Sequence, residues 1–190
     1  MTTLQTFLAS IEPLPDALAA RLLDIVREKT LVRREHLIRA GKICRNIYFI
    51  RAGLLRCYYF NGSKEVSSWF LKEGDVCIDV ESFFEQRVGD ENIQALEDSV
   101  VEYISHEQLE SLYRDFPSFN RWGRLLTQKY YLLCYRRMKG LWMENATEKY
   151  KWIQQHDPDI LQRVQGKYLA SHLGITNVML SRLRNERRGS

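Results

Sequence analysis

A chain of 190 residues, 45% hydrophobic and 12% aromatic, holds enough apolar material for a packed core and falls outside the disordered class. No apolar run reaches the length of a membrane span, and the start MTTLQTFLASIEPLPD lacks the positive n-region of a signal peptide, so a cytoplasmic protein without membrane contact is expected. The net charge of +4 is unevenly spread: residues 163–190 hold six Lys/Arg and one acid, Glu186, which leaves −1 on residues 1–162.

In chain order, Leu4, Phe7, Leu8 and Ile11 share one helical face within residues 3–28, and Pro13 and Pro15 break that run. Pro15 and Asp16 suit the first turn of a second helix, whose buried stripe is Leu18, Leu22 and Ile25. From Leu31 to Ile104 the period becomes strand-like, with candidates at 35–39, 46–50, 54–60, 65–71, 76–78, 93–97 and 100–104. Asn61-Gly62 is a strong hairpin signal. Short strands at regular spacing with turns between them predict an antiparallel barrel or jelly roll. Ser105 and Gln108 form a capping box for a short helix at 106–114. After Pro117 a long helix is expected to about residue 143. Phe119, Trp122, Leu126, Tyr130, Leu133 and Leu141 recur along it at helical steps. Pairing with a second copy would bury Trp122, Tyr130 and Leu133; packing across the barrel is the alternative, and the two are compatible. Asn145 and Glu148 form a capping box for a helix at 146–155, which Asp157-Pro158 ends. A hinge at Asn145 divides a domain of residues 1–144 from one of 145–190.

The stretch KYLASHLGITNVMLSRLRNERR, residues 167–188, predicts two helices meeting at a turn. Gly174 can enter the left-handed region that ends the first helix, and Thr176 can cap the second. Leu169, Ala170, Leu173, Leu180, Leu183 and Met179 face inward, while Asn177, Val178, Ser181, Arg182 and Asn185 form an outward stripe. This is the pattern of a helix-turn-helix, with duplex DNA as the partner. Arg182 could donate to guanine O6 and N7, Asn177 and Asn185 could read adenine, Ser181 could bond a base edge or phosphate, and Val178 could touch a thymine methyl. Lys167, Thr176, Arg184, Arg187 and Arg188 complete the DNA-binding set. A plain helical hairpin with a solvated basic face is the competing reading. The cysteines (Cys44, Cys57, Cys77 and Cys134) form no CxxC pair. They read as small buried hydrophobes, or as a helix-face residue for Cys134. No cofactor and no metal site are expected.

The order of these elements, with Ile50-Arg51-Ala52-Gly53-Leu54-Leu55-Arg56, Gly74-Asp75, residues 146–155 and residues 169–184, resembles the Crp/Fnr family of bacterial transcription regulators. The strings ESFF, ATEKYKWIQQHDPDILQRV and YLASHLGIT are similar to the group common in the Bacteroidetes. The resemblance implies an α+β protein with an antiparallel, jelly-roll-like β-roll sensor domain, a long dimerisation helix and a C-terminal helix-turn-helix domain. It further implies a homodimer and an unknown small-molecule effector in the roll, which acts by changing the spacing of two reader helices. The effector pocket falls on Asp79, Glu81, Ser82, Arg87 and Asp90. Cyclic-nucleotide binders of the family carry Gly-Glu and Arg-Ser in this cassette; those positions fall on Ile78-Asp79 and Gly89-Asp90. Asp90 would repel a phosphate and Arg87 lies two residues away, so cyclic AMP is not expected to bind. The iron–sulfur branch needs an N-terminal cysteine cluster, which residues 1–43 lack, and His106 reads as a helix-start residue rather than a haem ligand. With the sequence ending at Ser190, no winged hairpin is expected after the reader helix.

A transcription regulator is therefore the first reading. A small-molecule-binding or scaffold protein with a vestigial helix-turn-helix is the second. An enzyme on a cupin-like roll is the third: His36, His106, His156 and His172 lie far apart in sequence, and Asp79/Glu81 and Asp90/Glu91 are explained equally well by solvated loops.

Overall fold

Apolar residues at helical spacing, with a threonine ahead of them, open the chain in a helix. The computed structural model describes residues 2–141 and 145–186. In it α1 spans Leu4–Ile11, and Thr3 Oγ1 accepts from the Thr6 N–H. α2 spans Asp16–Ile25 and buries Leu18, Leu22 and Ile25, the stripe read from the sequence.

The strands are β1 (Arg27–Leu31), β2 (His36–Ile38), β3 (Asn46–Ala52), β4 (Leu55–Asn61), β5 (Lys64–Leu71), β6 (Val76–Cys77), β7 (Asn92–Ala95) and β8 (Ser99–Ser105). They form two four-stranded sheets, ordered β1-β8-β3-β6 and β2-β7-β4-β5. In the first sheet every pair is antiparallel, as β2–β7 is in the second. Phe49 of β3, Leu55 of β4, Ile93 of β7 and Val101 and Ile104 of β8 are buried in the core of the roll. The β4–β5 turn is centred one residue later than Asn61-Gly62 suggests. Gly62, at φ +62°, takes its first central position, and strand pairing already includes Asn61.

Two elements depart from the sequence reading. β1 was not expected, because only Leu31 of its five residues is buried and no alternation marks it. Its register is instead set by backbone pairing with β8, from Arg27 opposite Tyr103 to Leu31 opposite Ser99. A short helix, α3 (Val80–Glu85), also appears inside the strand region, capped by Asp79, whose Oδ1 accepts from the Ser82 N–H at 3.2 Å.

α4 (His106–Asp115) begins with the expected Ser105/Gln108 box, both bonds present. α5 (Asn120–Leu141) is the long helix; its predicted end at about residue 143 lies outside the described residues. Of the two readings for this helix, Trp122 follows packing within its own chain and is not available to a second copy. It is 3% exposed, and its indole Nε1 donates to the Leu8 carbonyl at 3.0 Å. Tyr131, Leu132, Tyr135 and Met138 of α5 are exposed.

By packing, the chain divides into two units: residues up to 57 with 70–127, and residues 58–69 with those from 128 onward. The second unit contains the tip of the β4–β5 hairpin, the C-terminal part of α5, and α6 (Ala146–His156), α7 (Pro158–Arg163), α8 (Gly166–Leu173) and α9 (Asn177–Glu186). Asn145 caps α6 through the Glu148 N–H at 2.9 Å. Asp157-Pro158 both ends α6 and starts α7, with proline in the first turn, where it has no N–H to lose. Among the described residues no helix is long and apolar enough to cross a membrane.

The Trp122 indole fills the first unit's core and makes a buried bond. Trp122→Phe is therefore expected to lower the stability of that unit by about 2 kcal/mol, measured by urea unfolding followed by circular dichroism.

Candidate nucleic-acid interface

The local geometry of α8 and α9 follows from three residues between them. Gly174 takes φ +69°, and the Ile175 N–H donates back to the Ala170 carbonyl at 3.0 Å. These two features close α8 in a left-handed cap. Thr176 Oγ1 accepts from the Met179 N–H at 3.2 Å and caps α9. Leu169, Ala170 and Leu173 of α8 are buried, as are Leu180 and Leu183 of α9. Tyr150, Ile153, Ile160 and Val164 complete this core.

With that face buried, α9 turns Asn177, Val178, Ser181, Arg182 and Asn185 outward, all exposed; Val178 is 63% exposed. The predicted stripe is therefore brought together on one helix face. Met179 is half-buried. Lys167 is exposed at the start of α8, its Nζ 4.6 Å from the Tyr168 ring centre. Thr176 is exposed, but its hydroxyl is occupied by the cap. Arg184 stands apart from the stripe: it is half-buried and donates to the Leu161 carbonyl at 3.2 Å, bracing α9 against the end of α7. Arg187 and Arg188 lie outside the described residues.

A second polar group in this unit was not read from the sequence. Ser171 and His172 of α8, Arg137 of α5, and Glu65, Ser67 and Trp69 of β5 meet in one cluster. The His172 Nδ1 is 3.1 Å from the Ser67 carbonyl and Arg137 Nη2 is 3.0 Å from the same ring nitrogen. Arg137 also stacks over the Trp69 ring at 4.3 Å. Burial, and then the Arg137 charge, push the imidazole down to about 3, against the opposing pull of the Ser67 carbonyl. The residues converge from three elements far apart in the chain, so no local spacing could announce them.

In the roll, the five residues assigned to an effector pocket separate into two sets. Asp79 and Ser82 are buried and serve the local fold. The Ser82 hydroxyl accepts from the Cys44 N–H at 2.8 Å and donates to the Arg87 carbonyl at 2.6 Å. Glu81, Arg87 and Asp90 are exposed. The Arg87 guanidinium is held by Glu81 at 2.9 Å and Glu85 at 2.7 Å. Cys44, Cys57 and Cys77 are buried and Cys134 is exposed, as the sequence implied. Burial pushes the Cys77 thiol well up and the Cys44 thiol up as well, which keeps both protonated. Among the described residues no group of three His, Cys, Asp or Glu could hold a metal ion.

Residues 28–116 match the family model of the cyclic nucleotide-binding domain. No curated protein sequence matches the chain. Among solved structures, FixK2 from Bradyrhizobium japonicum is similar with a TM-score of 0.71 at 14% identity, over 87% of this chain and 85% of that one. The c-di-GMP responsive global regulator CLP from Xanthomonas campestris has a TM-score of 0.69 at 17% identity, over 90% of both chains. A protein from Eubacterium rectale assigned to the Crp/Fnr family of transcriptional regulators has a TM-score of 0.69 at 15% identity, over 96% of this chain and 87% of that one. At these identities the likeness is one of fold.

The His172 environment sets a pH dependence. The folded ring resists protonation down to about 3, whereas the unfolded ring accepts a proton near 6.5. Between those values the unfolded state binds more protons, so this contribution is complete above 6.5 and is lost as pH falls, by about 1.4 kcal/mol per unit. The thermal midpoint of the wild type should drop more steeply between pH 6.5 and 4 than that of His172→Gln, in parallel melts of the two proteins.

Proposed function

We propose that this chain is a DNA-binding transcription regulator of the Crp/Fnr type. In this reading α8, the Gly174–Thr176 turn and α9 form a helix-turn-helix, and two copies act as a homodimer. The observation that carries it is the single exposed stripe of Asn177, Val178, Ser181, Arg182 and Asn185 over a buried Leu180/Leu183 face. Such a face has the shape and the donors to enter a major groove. Lys167 is offered to phosphate, with Arg187 and Arg188 joining it and Thr176 and Arg184 fixing the helix that reads. Tyr131, Leu132, Tyr135 and Met138 on α5 supply an apolar face for a second copy; Tyr131 is 71% exposed. A dimer is what a two-fold operator requires, since half-sites lie about 34 Å apart.

The roll is the sensor in this reading, with an effector other than cyclic AMP. One observation and one reading of the sequence support the exclusion. The Arg87 guanidinium is engaged by Glu81 and Glu85, and the resemblance aligns the exposed Asp90 with the family's phosphate-binding position. A cyclic phosphate there would meet carboxylates rather than a free arginine fork.

Selection of binding sites from a random duplex pool at low salt should yield a two-fold sequence, with affinity falling steeply as salt rises. On that duplex Arg182→Ala should relax preference at one position in each half-site at a cost of about 1–3 kcal/mol. Lys167→Ala should weaken all sequences alike and reduce the salt slope by about one per site. A pool that yields no preferred sequence would favour the scaffold reading. In calorimetry, cyclic AMP should give no binding heat; micromolar binding would overturn the exclusion.

A further inference from the structure

β1 and β8 set two carboxylates against each other. Glu28 lies opposite Glu102 in their antiparallel register, so both side chains leave the sheet on one face, with Cβ atoms about 5 Å apart. Like charges in that position repel unless a cation stands between them. Arg51 of β3 is that cation. Its Nη1 bonds the Glu28 carboxylate and lies 3.6 Å from Glu102 Oε1, while its Nε is buried and makes no hydrogen bond. Two negative charges therefore share one positive charge. Arg27 does not supply a second, because its Nη1 donates to the Asp24 and Val26 carbonyls at 2.6 and 3.1 Å, at the end of α2.

Glu102 is 8% exposed. Its Oε2 accepts from the Leu4 N–H in the first turn of α1. Its Oε1 has no hydrogen-bond donor among the described residues, since 3.6 Å to Arg51 is beyond hydrogen-bond reach. A carboxylate withdrawn from water in this way is left short of donors. This carboxylate lines a cavity of about 240 Å³. Leu22, Leu23 and Val26 form an apolar wall, and Glu28, with Thr3 and Gln5 from the start of α1, lines the rest. Leu23 is 70% exposed, a large aliphatic group beside the two acids. The space suits a molecule of about eight non-hydrogen atoms, at the ~30 Å³ that one water takes in the liquid. All of these residues belong to the first unit, and none belongs to the cassette at 79–90. The cavity lies along β1 and β8, whereas the cassette follows β6, at the other end of the order β1-β8-β3-β6.

We propose that this cavity binds a small organic ammonium ion with an aliphatic body. The ammonium donates to Glu102 Oε1 and to the Glu28 carboxylate, and its charge balances the pair that Arg51 alone leaves negative. The body lies along Leu22, Leu23 and Val26. An ammonium brings three donors and a full charge, and bonds between charged groups are shorter and stronger than neutral ones. An alcohol of the same skeleton brings one donor and no charge. A carboxylate of that skeleton meets two like charges. The proposal goes beyond the DNA-binding reading and does not depend on it, because no residue of α8 or α9 takes part.

The test titrates the full, isotope-labelled chain with isopentylamine, which is protonated at pH 7. Isopentanol and isovalerate, on the same carbon skeleton, are the controls. The amine should shift the Leu4, Leu23 and Glu28 amide signals and saturate with a Kd of about 1 mM. The alcohol should bind about tenfold more weakly, and isovalerate should produce no saturable shift. Glu102→Gln should weaken the amine about tenfold and Glu28→Gln about threefold. Glu28 is exposed, so its variant reads the site even if Glu102→Gln does not fold. No saturable shift with the amine would overturn the proposal. Equal binding of amine and alcohol would leave an apolar crevice and overturn the ammonium assignment, as would tighter binding of isovalerate. Amine binding unchanged in Glu28→Gln and in any folded Glu102→Gln would place the ligand elsewhere and overturn the site.

Discussion

The burial of one apolar seam, Leu169, Ala170 and Leu173 of α8 with Leu180 and Leu183 of α9, is the constraint on which the rest of this structure's chemistry depends. It sets the rotation of α9 about its axis, and a helix residue's direction follows from its rotation and its offset along the chain. Once two leucines three residues apart face inward, Ser181, Arg182 and Asn185 have no choice but to face outward. The left-handed Gly174 is what lets the two helices meet at an angle that closes the seam. The Thr176 cap then satisfies an amide that the turn leaves without a helical partner.

The roll has a different logic. Its short helix α3 begins at a buried aspartate and carries acids that occupy Arg87. Residues 28–116 match the family model of the cyclic nucleotide-binding domain, and within them the Arg87 guanidinium is already engaged by two carboxylates.

α5 combines two roles in one helix by changing its environment along its length. Near its start Trp122 is committed to the first unit's core through the Leu8 carbonyl. Further on, Arg137 contributes to the polar cluster of the second unit, while Tyr131, Leu132, Tyr135 and Met138 stay exposed. A sequence stripe assigns all apolar residues of a long helix to one partner. Here the aromatic with a polar handle went to the core, where a carbonyl could accept its N–H.

The sequence by itself determined what is local and periodic. The Gly174–Thr176 corner, the inward and outward faces of α9, the Ser105/Gln108 cap, the burial of three cysteines and most strands were legible, because each depends on residues within a few positions. Tertiary structure alone decided what depends on partners distant in the chain. β1 exists through its ladder with β8, and its own residues carry no alternation. Trp122 is buried by a carbonyl 114 residues away. Arg184 turns from solvent to the Leu161 carbonyl, and Ser171 and His172 find the edge of a strand more than a hundred residues earlier. The physical reason is the same each time. Helical and strand periods record which side of an element is apolar, whereas a polar group's partner is chosen by whatever unsatisfied donor or acceptor folding brings within about 3 Å.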